Sequence, residues 1–206
     1  MIRKRMLGLE AMERQDGAQA MKLFMLKLGA TPKGRLIEQH DVFFGIAEHP
    51  ADLIPAFEAA WPEAAGNWHI DCWREVSQVG GHAVRVVPRE QARADSNQLF
   101  FINLGGYRPG EFEEYHHKML IVAPSSQAAI AEAKRSDFYR DFDFAGAVSH
   151  VDDKHGVDVD EIHNIGEVLA QQDKQRYALH IRPAPDGQPD EWHIGYLNRN
   201  KFAQCR

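Results

Sequence analysis

The chain has 206 residues, enough to bury a sizeable core, and its composition of 44% hydrophobic and 26% charged residues is typical of a globular protein. Two cysteines exclude a disulfide framework and a cysteine-rich zinc module, and no apolar run reaches the roughly 18 residues of a membrane-spanning helix. The net charge of −6 arises in residues 137–162, with eight acidic and two basic side chains. Because no basic stripe lies elsewhere, we expect neither nucleic acid nor a membrane as a partner.

The first twenty residues differ from the rest of the chain. Residues 1–20 contain no apolar region of about seven to fifteen residues, which an export signal requires, whereas a strand pattern begins at Lys22. We expect residues 1–20 to be a loosely ordered N-terminal extension and the folded part to begin at Met21. The missing export signal and the scarcity of thiols predict a cytoplasmic protein.

An internal repeat organises the predicted elements. Three stretches recur in the same order, and the matched pairs are LFMLKLG 23–29 with LFFINLG 99–105, EQH 38–40 with EYH 114–116, and HID 69–71 with HVD 150–152. Self-similarity at a fixed spacing indicates a duplicated structural unit. We therefore predict two copies of one unit, residues 21–87 and residues 99–165, separated by the polar linker 88–98.

Each copy is predicted to contain two strands, a helix and a further strand, and to end with one later strand. Apolar runs closed by glycine or proline indicate the strands, and apolar residues at helical spacing indicate the helices. The predicted strands are 22–28, 38–47, 68–76 and 82–87 in the first copy, and 99–104, 114–123, 148–153 and 157–165 in the second. The helices are predicted at 51–61 and 125–135, the latter with Ser125 or Ser126 as its N-cap.

Residues 166–206 are predicted to form a connecting segment and a C-terminal β-hairpin. Tyr177–Arg182 and Glu191–Leu197 alternate apolar and polar residues on either side of a turn. One face, which we expect to pack on the repeats, would carry Tyr177, Leu179, Ile181, Trp192, Ile194 and Tyr196. The predicted fold class is α+β, with two pseudo-symmetric strand-strand-helix-strand repeats in one compact body plus this hairpin.

Polar residues that recur in both copies form the candidate site. They are Glu38, His40, His69 and Asp71 in the first copy, and Glu114, His116, His150 and Asp152 in the second. Residues i and i+2 of a strand point to one side, so each of these i, i+2 pairs shares a face. We expect His69 and Asp71 to lie opposite a core face formed by Trp68, Ile70 and Cys72. At the loop tip of the second copy, Tyr107 and Arg108 could contact a ligand or partner.

Three interpretations of these histidine–carboxylate pairs remain open. They could be hydrogen bonds that only hold strands in register. They could be a divalent-metal site, because imidazole and carboxylate suit zinc, iron or manganese, and the candidate ligands are then His69, Asp71, His150 and Asp152. They could also serve general acid–base catalysis through His40 or His69.

The stretches LGGYRP, ExH, HVDDKxGVDVD and HIGYL resemble a family known as the domain of unknown function 1543. The resemblance covers residues 21–198 and is most specific over residues 99–116 and 150–165. It implies a bacterial protein with one or two copies of a short domain, in agreement with the repeat. The resemblance implies no activity, cofactor or catalytic residues.

These observations favour a non-enzymatic module that binds a small polar or cationic ligand, or a protein partner. The recurring histidines and carboxylates, with Tyr107 and Arg108, would form its site. The alternative is a metal-dependent, hydrolytic enzyme that uses the paired histidines and carboxylates as ligands. A third hypothesis gives the pairs a purely structural role.

Overall fold

The computed structural model describes residues 20–93, 95–141, 150–151 and 161–206, so nearly all of the predicted extension 1–20 lies outside the described residues. The strands within these ranges are β1 (Lys22–Ala30), β2 (Gln39–Ala47), β3 (Trp68–Glu75), β4 (Gln78–Val79), β5 (His82–Pro88), β6 (Gln98–Tyr107), β7 (Glu114–Ala123), β8 (His150–Val151), β9 (Glu161–Asn164), β10 (Tyr177–Pro183) and β11 (His193–Asn198). The helices are α1 (Ile54–Ala60), α2 (Ser126–Ala133), α3 (Asp137–Asp141), α4 (Ile165–Val168), α5 (Gln171–Arg176) and α6 (Arg199–Phe202). Among the described residues, no helix is long and apolar enough to cross a membrane.

The strands form three antiparallel sheets. The first sheet has the strand order β11-β3-β1-β2, and the second has the order β7-β6-β8, with β9 also paired to β6. A third, small sheet has the order β10-β5-β4. Helices pack on the outer faces of both larger sheets. The α+β class predicted from the sequence is confirmed.

The apolar core between the sheets lies where their inner faces meet. Phe44 of β2 and Phe101 of β6 contact edge to face, with ring centroids 5.4 Å apart. Leu23 and Leu99 belong to the same cluster of buried side chains. Toward the C-terminal ends of β1 and β6 the inner faces become polar, and a cleft opens between the two larger sheets.

A glycine occupies the same register position in both larger sheets. Gly29 of β1 lies opposite His40 of β2 and His69 of β3. In the second sheet, the residues with the same pairing are Gly105 of β6, His116 of β7 and His150 of β8. Partners in an antiparallel ladder point to the same face of the sheet. His40, His69 and His116 therefore lie on the inner faces of their sheets.

Helix α2 begins after an N-cap serine, at one of the two predicted positions. Ser125 Oγ accepts a hydrogen bond from the Ala128 N–H at 3.2 Å, whereas Ser126 Oγ contacts only the exposed side chain of Gln127 among the described residues. We expect Ser125→Ala to lower the free energy of unfolding by about 1 kcal/mol. Ser126→Ala should change it by less than about 0.5 kcal/mol. Urea denaturation measures both, and equal losses would contradict this cap assignment.

A β-bulge at Asp71 changes which residues share the faces of β3. Lys27 of β1 lies opposite Cys72, and Leu28 lies opposite Ile70, so Asp71 is the extra residue in this ladder. An extra residue reverses the alternation of side chains beyond it. The prediction that Cys72 shares a face with Ile70 is therefore wrong, and Cys72 lies on the inner face with Lys27.

The two C-terminal strands form close to their predicted positions, and each joins a different sheet. β10 pairs with β5, and β11 pairs with β3, so this segment connects the small sheet to the first sheet. The part of the predicted apolar face in and next to β11 is not buried, because Trp192, Ile194 and Tyr196 are 53%, 80% and 66% exposed. β11 is an edge strand of the first sheet, and Ile194 and Tyr196 lie on the face that carries Cys72 and His69, where they remain exposed.

One buried carboxylate anchors the connection between β10 and β11. Asp190, whose side chain is 2% exposed, accepts hydrogen bonds from the backbone N–H groups of Ser77 and Gln78 and from Ser77 Oγ, at 2.8–3.1 Å. An Arg74 guanidinium nitrogen lies 3.6 Å from Asp190 Oδ2, and the guanidinium carbon lies 4.5 Å from the ring centroid of Trp192. These contacts hold the C-terminal segment against the corner between β3 and β4.

Two predicted boundaries differ in detail from the structure. The strand predicted at 157–165 ends at Asn164, because its side chain accepts a hydrogen bond from the Gly166 N–H at 3.0 Å and caps α4. The predicted linker 88–98 also makes a specific contact. Asp95 Oδ2 accepts a hydrogen bond from the Ile181 N–H at 3.1 Å, which ties this segment to β10.

Candidate metal centre

Four of the predicted site residues meet at the polar end of the first sheet. Nε2 of His40 lies 3.3 Å from Glu38 Oε2 and 3.1 Å from Asp71 Oδ2. Nε2 of His69 lies 3.3 Å from Glu38 Oε1 and 3.2 Å from Asp71 Oδ1. Each of the two imidazole nitrogens therefore contacts both carboxylates. We call Glu38, His40, His69 and Asp71 the histidine cluster.

Three neighbouring strands position the histidine cluster. His40 on β2 and His69 on β3 both lie opposite Gly29 on β1, so their side chains project from the same face. Glu38 directly precedes β2. Asp71 is the bulged residue of β3, and a bulge re-aims the side chain that it carries. The strand order β3-β1-β2 thus brings together residues that are up to 33 positions apart in the sequence.

Gly29 leaves the space in which the two imidazole rings meet. A Cβ atom on residue 29 would overlap His69 Nε2, and it would lie 2.6 Å from His69 Cε1 and 3.2 Å from His40 Cδ2. The rings therefore lie directly over the Gly29 backbone. In the sequence, this glycine indicates only the end of a strand. In the structure, a side chain at residue 29 would displace the two imidazole rings of the cluster.

The histidine cluster is buried on one side and open on the other. The His69 side chain is 7% exposed, whereas the side chains of Asp71, His40 and Glu38 are 26%, 34% and 43% exposed. Tyr196 stacks on the His69 ring, with centroids 4.4 Å apart and 29° between the planes. This stacking restricts the orientation of His69, while Glu38 remains accessible from the cleft.

Three of these side chains have ligand atoms at separations that suit a metal ion. One ligand atom from each of Glu38, His40 and His69 lies within 4.8 Å of the other two. Asp71 contacts both imidazoles, but its Oδ2 is buried and has no partner with hydrogen-bond geometry, although Lys27 Nζ lies 3.6 Å away. A buried carboxylate oxygen of this kind requires a compensating charge. The convergence of these ligand atoms adds Glu38 and His40 to the predicted ligand candidates His69 and Asp71.

Predicted site residues of the second sheet line the opposite wall of the cleft. Glu114 Oε1 accepts a hydrogen bond from Tyr107 Oη at 2.7 Å, and Glu114 Oε2 lies 3.9 Å from His116 Nε2. Arg108 is exposed, and its guanidinium carbon lies 5.3 Å from the ring centroid of Tyr115. Tyr107 thus contacts the glutamate of its own sheet rather than the histidine cluster.

The remaining predicted residues of the second copy are only partly described. His150 occupies the register position opposite Gly105 in β6. Asp152 lies outside the described residues. Of the eight recurring histidines and carboxylates, the described side chains therefore bring together the four of the first copy.

The cleft between the larger sheets has a volume of about 1150 Å³. Lys27 lines it from the first sheet, and Asn103 and Lys118 line it from the second. Burial, followed by repulsion from Lys27, lowers the pKa of Lys118, and burial raises the pKa of the Cys72 thiol. Asn103 Oδ1 is buried without a hydrogen-bond partner. The sequence reasoning missed these cleft residues. Lys27 and Asn103 each interrupt an apolar strand, whereas Cys72 and Lys118 lie in strands of mixed polarity and carry no such signal.

Comparisons with known proteins identify a domain and a fold but no activity. Residues 35–86 match the family model described as Domain of Unknown Function (DUF1543), which supports that family for this segment. The crystal structure of a protein Il1583 from Idiomarina loihiensis is similar, with a TM-score of 0.59 and 22% identity over 85% of this chain and 95% of that chain, a likeness that shows the fold alone. No curated protein matches the sequence. The segment that is similar to DUF1543 contains all four residues of the histidine cluster.

Proposed function

We propose that the histidine cluster binds a divalent cation. The observation that carries this proposal is the convergence of ligand atoms from Glu38, His40 and His69 within 4.8 Å of one another. A protonated Nε2 has a single hydrogen to donate, yet each Nε2 here lies 3.1–3.3 Å from oxygens of two different carboxylates. Hydrogen bonding alone therefore accounts for half of these contacts at most, whereas a cation would be bound by nitrogen and oxygen lone pairs together.

The chemistry of the ligand set favours zinc, iron or manganese. Imidazole nitrogen and carboxylate oxygen are ligands that these three ions share. Two histidines and one carboxylate fill three coordination positions and leave others open, as in catalytic zinc sites and non-haem iron sites. Asp71 lies beside both imidazoles and would accept a hydrogen bond from a group in an open position.

We extend this proposal to a second, duplicated unit in residues 99–165. Support comes from the register, because Gly105 lies opposite His116 and His150 just as the glycine of β1 lies opposite its two histidines. Support also comes from the sequence. Glu114 precedes His116 by two residues in EYH, just as Glu38 precedes His40 by two residues in EQH. On this proposal the chain is a tandem duplication, and its two units face each other across the cleft.

Three further properties are proposals that follow from the sequence. A cytoplasmic location is supported by the two cysteines, Cys72 and Cys205, which are both free thiols. A bacterial origin is supported by the family resemblance.

A protein partner is supported by Leu36, Ile37 and Phe112, apolar side chains that are highly exposed in the β1–β2 and β6–β7 loops.

Metal analysis tests the proposed function directly. We expect protein purified without a polyhistidine tag to take up Zn²⁺ or Mn²⁺ in calorimetric titration of the metal-free form. His69→Ala removes the most buried ligand and should weaken binding by about 100-fold or more, since loss of an outer-shell partner alone costs up to about that factor. The matched control is His82→Ala at the β4–β5 turn, where Nδ1 lies 3.0 Å from Gly80 O, and it should bind as the wild type does.

A purely structural role for the histidine cluster predicts a different outcome. The wild type would then bind none of these metals. His69→Ala would still lower the free energy of unfolding by about 3 kcal/mol, because it leaves buried polar partners unsatisfied. That combination of results would reject the proposed function and assign the cluster to holding β1, β2 and β3 in register.

A metal-dependent hydrolase is the second candidate function. The open coordination positions expected at the histidine cluster adjoin a cleft large enough for a small substrate, about 1150 Å³. A metal ion in such a position can activate water for attack on an ester or phosphoester. Multiple turnovers by the metal-loaded protein would distinguish this enzyme from a module that only binds.

A further inference from the structure

Two lysines from opposite sheets line the cleft beside the histidine cluster. Lys27 lies on the inner face of the first sheet, two residues before Gly29. Lys118 lies on the inner face of the second sheet, directly opposite Asn103 in the β6–β7 ladder. Lys27 Nζ is 3.6 Å from Asp71 Oδ2. The Lys27 ammonium group is therefore next to the proposed metal centre, and Lys118 lines the same cleft.

These donors are incompletely matched by the protein's own acceptors. Within the described part of the chain, Lys118 is half-buried and forms neither an ion pair nor a hydrogen bond. Glu161 on β9 influences it electrostatically from beyond ion-pair distance. A partly buried ammonium group without an acidic partner is costly, so Lys118 indicates a place for an external anionic ligand.

We propose that Lys27 and Lys118 bind the oxyanion group of a small ligand whose other end coordinates the metal. This inference rests on the proposed function, because the cation in the histidine cluster supplies the second attachment point. Ammonium groups bind carboxylates and phosphates through charge-assisted hydrogen bonds. The ligand class is a small chelating oxyanion, either a dicarboxylate or a phosphate.

The acidic residues around the cleft do not favour a cationic ligand in its interior. Besides Glu38, the exposed carboxylates that line it are Asp41, Glu113 and Glu161. Water and salt screen exposed charges strongly, whereas the two lysines are partly buried. Glu114 is bound by Tyr107 Oη. A divalent cation would offset the charges of Glu38 and Asp71, so the inner part of the loaded cleft carries the excess positive charge of its lysines.

Calorimetric titration of malonate and of inorganic phosphate into the zinc-loaded protein tests this inference. We expect one of these anions to bind, and Lys118→Met to weaken that binding by about tenfold or more, as loss of a hydrogen bond to a charged group does. Zinc affinity of Lys118→Met should stay within about twofold of the wild type. The matched control is Lys201→Met, on α6 behind the first sheet, which should change neither affinity. The preferred anion identifies the ligand as a carboxylate or a phosphate.

The outcomes separate the two proposals. Failure of the wild type to bind zinc, manganese or iron overturns the proposed function and the anion site that depends on it. Zinc binding without anion binding overturns the anion site alone, as does equal anion affinity in Lys118→Met and the wild type. Tighter binding of the diamine putrescine than of either anion also overturns it, because the inner cleft would then select a cation.

Discussion

Replacing Gly29 by alanine is expected to abolish tight metal binding. The added Cβ atom would overlap His69 Nε2 and lie 2.6 Å from His69 Cε1. His69 has little room to move aside, because its side chain is 7% exposed and its ring stacks on Tyr196. The two imidazoles must therefore separate. We expect metal affinity to fall by about 100-fold and the free energy of unfolding to fall by about 1–3 kcal/mol.

The matched control for this variant is Gly166→Ala. A Cβ atom at residue 166 would approach no described atom more closely than Asn164 Oδ1, at 3.4 Å, so metal affinity should not change. Calorimetry with Zn²⁺ and urea denaturation measure both quantities for both variants. Wild-type metal affinity in Gly29→Ala would show that the rings do not meet over this glycine, and the site geometry would have to be rejected.

Replacing Asp190 by alanine is expected to cause the largest loss of stability. Its carboxylate, 2% exposed, accepts hydrogen bonds from three donors of Ser77 and Gln78 and faces the Arg74 guanidinium, which is 11% exposed. Burial lowers the pKa of Arg74 and the Asp190 charge opposes that shift, so the guanidinium depends on this partner. Removing one partner of a buried ion pair costs about 3–5 kcal/mol, and we expect a loss in this range from urea denaturation.

Two companion variants define the origin of that loss. Asp186→Ala, in the exposed turn of the same segment, should change the free energy of unfolding by less than about 0.5 kcal/mol. Asp190→Asn keeps an acceptor for the backbone N–H groups but removes the charge, so its loss should be intermediate. If Asp190→Ala were no less stable than Asp186→Ala, the anchoring of the C-terminal segment by Asp190 would be refuted.

Most strands of the sheets could be predicted because each one has a recognisable local sequence pattern. β1 and β6 are apolar runs that end near glycine, and each is followed by a second strand within a short loop. The N-cap at Ser125 could also be predicted from local sequence, because serine is a preferred residue directly before a helix and an alanine-rich stretch follows it. Short loops connect consecutive strands, which is why β1 pairs with β2 and β6 pairs with β7.

The sheet partners of the C-terminal strands were not predictable from local pattern. Alternating residues in β10 and β11 are compatible with a hairpin and equally with pairing to β5 and β3. The choice depends on long-range contacts such as Asp190 with Ser77, which lie 113 residues apart. Ile194 and Tyr196 lie on the edge strand β11 and remain exposed, whereas the prediction placed them against the core.

The candidate site was predictable in its members and not in its arrangement. The recurrence of Glu38, His40, His69 and Asp71 identified which side chains to consider. Their meeting point depends on the bulge at Asp71, because one inserted residue has no signature in a strand pattern. The shared position of Lys27 and Lys118 in one cleft could not be predicted for a related reason. It depends on how the two sheets pack and not on the sequence pattern of either strand.

Anomalous scattering from crystals of the wild type soaked in Zn²⁺ is the most direct measurement of the central claim. A cation held by the histidine cluster predicts a zinc peak about 2.0–2.2 Å from Nε2 of His40, Nε2 of His69 and a carboxylate oxygen of Glu38. Fully ordered side chains with no zinc peak between them would contradict cation binding. A peak coordinated only by residues outside the cluster would contradict it equally.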